Sequence, residues 1–199
     1  LVRFNERITI NSEQISDAAV VDAYKAVKGA GTWDREPTFF EYTTAMALYA
    51  FGRAGVDWAV IETGMGGRLD ATNILTPELC VITNISLEHR FYLGNTIAQI
   101  AAEKGGIIKP GVPVVTGAVQ PSAVRTLSEI AVEQNAPLFR RKKHFRTRRT
   151  GNAGETHLFT YYGLDHVWPG MHTSLRGAHQ LDNAALVLAA SEILMRHGV

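Results

Sequence analysis

The sequence predicts an α/β fold: a mainly parallel sheet flanked by helices, with a smaller antiparallel β-ribbon region beside it. Two observations carry this. Short β-branched runs alternate with helix-length amphipathic segments up to about residue 136. Beyond Pro137 the segments become short, partly alternating and turn-punctuated, as in antiparallel ribbons. Of the 199 residues, 46% are hydrophobic and 20% charged, which is a globular balance rather than a disordered one. We find no internal repeat, and residues 1–199 read as one α/β domain.

The elements follow in order. Ser12 or Ser16 caps a helix in which Ile15, Ala19, Ala23 and Val27 recur at helical spacing and Gly29 ends the run. A Gly-rich linker, 28–34, precedes a second helix opened by Pro37-Thr38 and running to about Arg53. The apolar run 57–62, ending in Glu62, reads as a strand leading into a Gly-rich loop, and Leu79–Ile85 as another. A helix is expected over 96–104, closed by Gly105-Gly106, then a strand over 112–116 and a helix over 121–134 with Pro at its start. Ribbons are expected near 138–139, 158–162, 165–168 and 172–175. A last helix, 177–196, carries Leu181, Ala185, Leu188 and Ile193 on its apolar face.

A formal net charge of +1 gives no global bias toward nucleic acid or membrane surfaces. No apolar stretch approaches the ~20 residues of a membrane span. Cys80, the single cysteine, lies in an apolar run and reads as a buried thiol in a reducing compartment. With no signal peptide visible behind Leu1, a cytoplasmic protein is expected. The run 140–149 holds seven Lys/Arg; a nucleic-acid stripe and a solvated β-hairpin both fit, and the neutral total charge favours the hairpin.

The chemistry-bearing stretch is Ile61-Glu62-Thr-Gly64-Met-Gly66-Gly67-Arg68-Leu-Asp70-Ala-Thr-Asn73. Its glycines let the backbone turn tightly and approach a ligand beyond a strand end, although a Gly-rich turn with an incidental carboxylate explains them too. If the strands before Glu62 and His89 are parallel neighbours, the two side chains converge on one sheet edge and can share a divalent cation. A lone loop histidine is also commonly a surface residue. Seven histidines without an H-E-x-x-H or Cys/His cluster give no zinc signature. Glu41 completes a T-x-x-E capping box with Thr38. Lys104 in a last helical turn suits the helix dipole. His179 and Asn183, four apart, share a face of the final helix's first turn, where N–H groups suit anions and an amide suits a purine edge; capping is the plainer account.

Together the segments resemble the folylpolyglutamate synthase/dihydrofolate synthase family of Mur-type ATP-dependent amide ligases. The matching stretches are 4–11, Phe40-Glu41-Tyr-Thr-Thr-Ala45, 56–73, Glu88-His89…Leu93-Gly94, Glu103-Lys104-Gly-Gly-Ile-Ile-Lys109 and Gly177-Ala-His-Gln…Asn183-Ala184, in family order. The family's phosphate loop, G-T-N-G-K-G-S, and its C-terminal domain are not in the chain, which looks like the central ATPase domain. Glu88 stands where Asp is usual, and Gly105 where Ala is common.

The resemblance implies that ATP phosphorylates a carboxylate of folate or dihydropteroate, and that the amine of L-glutamate then attacks the acyl phosphate. It implies ATP and Mg²⁺, with Glu62 and His89 as metal ligands and Lys104 as a catalytic, carbamylated lysine. His179, Gln180 and Asn183 fall on the ATP side, and Arg68 and Asp70 on the folate side. Partners are small molecules, with no nucleic acid or membrane. The alternative is a non-catalytic binding or scaffold protein that keeps the ligase fold.

Overall fold

In a computed structural model, residues 2–31, 34–153, 156–177, 179–196 and 198 are described, the side chains of 152 and 153 excepted. Positions 32 and 33 of the Gly-rich linker, and 178 in the Gly-Ala-His-Gln stretch, lie outside them. The chain divides into two units, Leu1–Met65 with Asp70–Ile74, and Gly66–Leu69 with Leu75–Val199.

The first unit opens with a 3₁₀ turn, Phe4–Arg7, and a small antiparallel hairpin of β1 (Thr9–Ile10) and β2 (Glu13–Gln14). Asn11 and Ser12 both take positive φ, 51° and 68°, as a two-residue hairpin turn of matching twist requires. Ser12 is therefore a turn residue. Ser16 caps α1 (Asp17–Gly29), its hydroxyl accepting from Ala19 N at 3.1 Å. α2 (Phe39–Ala54) starts in the expected capping box of Thr38 and Glu41 and stops at Gly55 in the left-handed region. Hydrogen bonds from Arg35, then from the Thr38 N–H and hydroxyl, hold the Glu41 carboxyl down at about 2. Ile8, Ile15, Ala23 and Met46 form this unit's core.

One expected element does not form here. Residues 57–62 make no ladder, Trp58 is half exposed and Val60 fully so. An apolar run specifies a tendency to be buried but not a pairing partner, and this unit's own strands are only two residues long.

The second unit contains the parallel sheet, in order β3 (Cys80–Ile82), β4 (Val114–Thr116), β5 (Leu138–Arg140). The β3–β4 crossover carries α3 (Arg90–Leu93) and α4 (Ile97–Gly105); the β4–β5 crossover carries α5 (Pro121–Glu133). Segment 138–140 is thus the third parallel strand and not an antiparallel ribbon, because a 13-residue helix returns the chain to the same sheet direction. Both sheet faces are covered. Val114 packs with Ile100, Ala101 and Leu127 on one side, and Val115 with Phe159, Tyr161, Leu186 and Ile193 on the other.

A three-stranded antiparallel sheet follows: β6 (Arg146–Ala153), β7 (Thr156–Tyr162) and β8 (Val167–Thr173). The segments expected separately at 165–168 and 172–175 are one strand. Pro169-Gly170 reads as a break, yet β8 lies at the sheet edge, where a missing N–H is tolerated. The basic run is no self-contained hairpin either. It finishes β5, turns through Lys142 at φ 67°, buries Phe145 and starts β6, linking the two sheets.

α6 (His179–Arg196) buries Ala185, Leu186, Ala189 and Ile193, together with one carboxylate that periodicity did not reveal. Glu192 accepts from the Tyr161 hydroxyl at 2.6 Å and from the N–H groups of Leu164 (2.7 Å), Asp165 (3.2 Å) and His166 (2.8 Å). Burial raises its pKa, but these donors outweigh burial and the net shift is downward; the Tyr161 hydroxyl is pushed up by burial and by Glu192. A carboxylate with a depressed folded-state pKa stabilises above its unfolded value and loses that contribution as pH falls through the folded one. Glu192→Gln should therefore cost about 3 kcal/mol near pH 7. The gap to wild type, read from urea midpoints, should narrow as pH falls below the ordinary carboxylate range. A pH-independent gap would contradict this account.

Cys80 is buried, as expected, and burial raises its thiol to about 11 despite Lys109 nearby. The folded protein should resist iodoacetamide at mildly alkaline pH and react once denatured. Mass spectrometry of the native protein decides this, with rapid native alkylation as the contrary result.

Candidate functional site

The glycine loop is shaped from both of its ends. In the first unit, a methyl group on Gly64 would meet the tip of the Phe40 ring at 2.6 Å, so the backbone packs closely against that ring. Asp70 closes the loop on itself: Oδ2 accepts from Met65 N at 2.9 Å, and Oδ1 from Thr72 N at 3.0 Å and its hydroxyl at 2.6 Å. Glu62 is exposed on the strand-less stretch, so the paired strand end expected to carry it is absent.

In the second unit, the loop's remaining residues sit on the last turn of α4. Arg68 N donates to Glu103 O at 2.8 Å, and its guanidinium reaches Glu103 Oε1 at 3.2 Å from Nε and 3.0 Å from Nη2. A methyl group on Gly67 would lie 2.8 Å from Glu103 O and 2.9 Å from Lys104 O. One on Gly106 would lie 2.4 Å from Arg68 Cβ. Only glycine allows this approach.

The same turn holds Lys104, whose Nζ pairs with Glu88 Oε1 at 2.8 Å. Lys104 is thus at the dipole-favoured helix end and in an ion pair. The next residue, His89, precedes α3 at φ 46° and ψ 38°, a left-handed position that is uncommon for a side chain with a Cβ. Its imidazole is exposed, while its carbonyl accepts from Tyr92 N (2.9 Å) and Leu93 N (3.0 Å). The backbone of the tight helix start aims this histidine.

His179, Gln180 and Asn183 come together at the start of α6. Asn183 Nδ2 donates to Gln180 Oε1 at 3.1 Å, and the His179 ring lies against Gly177, itself at φ 106°. Among the described residues, no three His, Cys, Asp or Glu side chains gather into a metal-binding group, and no helix is long and apolar enough to cross a membrane.

Sequence reasoning missed Glu103 as the partner of Arg68 and gave Glu88 no structural role. Both pairings join residues distant in sequence, and only the folded chain brings them together.

This architecture, with its glycine loop set on a helix end, has known counterparts. The Mur ligase middle domain model matches residues 13–191, and the chain belongs to that family. It is 36% identical to folylpolyglutamate synthase of Lacticaseibacillus casei over 199 residues, covering 97% of this chain and 46% of the relative. It is 39% identical to dihydrofolate synthase/folylpolyglutamate synthase of Bacillus subtilis over 209 residues, covering all of this chain and 48% of that protein. The chain therefore spans about half the length of these curated relatives. Among solved structures, the FPGS–AMPPCP–folate complex superposes with a TM-score of 0.88 at 36% identity, over 96% of this chain and 48% of that one. Folylpolyglutamate synthase of Thermotoga maritima gives 0.87 at 34% identity, over 96% of this chain and 45% of that one.

Gly67→Ala should destabilise the protein by about 1–3 kcal/mol, because the colliding atoms are backbone carbonyls that cannot swing aside. Gly111→Ala has open space around it, and only its positive φ opposes the substitution, so its cost should be smaller. Equal melting temperatures for Gly67→Ala and wild type would show that the loop does not rest on α4.

Proposed function

We propose that this chain is the central nucleotide-binding domain of an ATP-dependent amide ligase that adds L-glutamate to folate or dihydropteroate. The observation that carries the reading is the match over 96% of the chain to an enzyme whose solved complex holds AMPPCP and folate. In this reaction ATP transfers its γ-phosphoryl group to a substrate carboxylate. The glutamate amine then attacks the acyl carbon, and phosphate leaves as the amide forms.

His179, Gln180 and Asn183 serve the nucleotide side. The Asn183 amide uses one N–H on Gln180 and keeps a donor and an acceptor for an adenine edge. Arg68 and Asp70 serve the folate side, Asp70 through the loop that its carboxylate closes.

Glu62 and His89 are our assigned protein ligands for Mg²⁺. A hard carboxylate oxygen suits that ion, and phosphate and water supply most of its remaining shell. Bound there, the ion would neutralise charge on the phosphoryl oxygens. As an ammonium paired with Glu88, Lys104 repels a cation; as a carbamate it changes by two charge units and favours one. A carbamylated Lys104 would supply an oxygen donor of the kind that Mg²⁺ takes. The ligase acts in the cytoplasm, where folate and ATP are at hand.

Two experiments follow. Residues 1–199 contain no G-x-x-x-x-G-K-[ST] run to cradle the β- and γ-phosphates, so alone they should release no ADP in a folate-dependent coupled assay. In the complete ligase, Lys104→Ala should lower activity about 10- to 100-fold while keeping AMPPCP affinity, with partial recovery on adding a small carboxylate. Wild-type activity in that variant would leave Lys104 with its helix-end role only.

A further inference from the structure

Two members of the basic run 140–149, Arg140 and Arg141, are partly buried, each with a buried Nε that has no hydrogen-bond partner among the described residues, and Arg141 is the one that pairs with α6. Lys142, Lys143, Arg146, Arg148 and Arg149 are exposed, whereas the Arg141 side chain is only 11% exposed. Its backbone N–H is pinned to Thr116 O, at the carboxyl end of β4, at 2.9 Å. Its guanidinium forms an ion pair with Asp182 in the first turn of α6 through Nη1, while Nε is buried with no hydrogen-bond partner among the described residues. Six residues further on, at the second position of β6, the Thr147 hydroxyl donates to Leu181 O at 3.1 Å, and the buried Phe145 packs in the same cluster as Leu181 and Ala184. The segment 141–147 thus grips positions 181 and 182 by a charge, a hydrogen bond and an apolar side chain.

We propose that Arg141 is a positioning residue for nucleotide binding. Acting through Asp182, it sets the rotation of the first turn of α6, so that His179, Gln180 and Asn183 are presented together to a purine nucleotide. The proposal rests on the functional reading above. Positions 179 and 183 flank 182 within about one helical turn, so a rotation at 182 moves both side chains. The helix dipole alone would stabilise Asp182 at this end without any partner. A half-exposed ion pair on a solvated surface would add little stability, so a nearly buried arginine committed to it points to geometry rather than to stability.

The test uses the complete ligase with AMPPCP as probe, and compares Arg141→Met, Asp182→Asn, the swap Arg141→Asp with Asp182→Arg, and Asn183→Ala. Each single variant at the pair should weaken AMPPCP binding about tenfold and narrow its margin over the guanine analogue. Amide exchange at residues 183–186 should quicken while α4 and α5 keep wild-type rates. The swap should restore both readouts, which a purely structural loss would not do. Faster exchange with unchanged affinity and base preference overturns the proposal, as does no change in either readout. Wild-type affinity in Asn183→Ala would instead overturn the nucleotide reading itself. A failed clamp differs from that, because Asn183→Ala then weakens binding and Arg141→Met does not.

Discussion

The last turn of α4 is the constraint on which the rest of the site depends. Four consecutive residues there do different jobs. Glu103 takes the backbone and guanidinium of Arg68, and Lys104 takes Glu88. Gly105 lets α5 close in, since a methyl group there would meet Ile130 Cδ1 at 2.7 Å; Gly106 lets Arg68 lie flat against the helix end. Helix carbonyls at a C-terminus lack intrahelical donors. Here the Arg68 N–H supplies one, so the loop completes the helix while the helix fixes the loop. Because α4 also buries Ile100 and Ala101 in the sheet core, the loop is referenced to the parallel sheet rather than to solvent.

Charge is handled in two ways in the same unit. Around the loop and α4 the ion pairs are partly exposed, and pairs of that kind each contribute little to stability. They orient rather than stabilise. Glu192 is the opposite case, a carboxylate with no exposed side-chain surface, sustained by three backbone N–H groups and a tyrosine hydroxyl. It ties the turn between β7 and β8 to α6, and Gly163 must be glycine because a methyl group there would strike the carboxylate. One end of α6 is thus anchored by a buried anion and the other by the Arg141–Asp182 pair.

Much of the fold was legible because it is local. Thr38 and Glu41 mark a capping box, Thr96 and Gly105-Gly106 bound a helix, and Pro121 marks a helix start; all three lie within a few residues of where the spacing places them. What was not legible is non-local. The run 57–62 has the composition of a buried strand, but composition does not name a partner. Pro169-Gly170 looks like a break unless the strand is known to lie at an edge. The candidate site residues were legible only as residue types in order: Glu62, Gly64, Gly66, Gly67, Arg68, Asp70, His89 and Lys104. The partners that hold three of them, Glu103, Glu88 and the Thr72 hydroxyl, follow from the folded chain.

Amide hydrogen exchange at Arg68 tests the central claim most directly. Its N–H donates to the Glu103 carbonyl at 2.8 Å, so it should exchange as slowly as the amides inside α4 and open together with them. Exchange of the Arg68 amide at the rate of an unstructured loop, with α4 still protected, would show that the glycine loop and the helix end are independent.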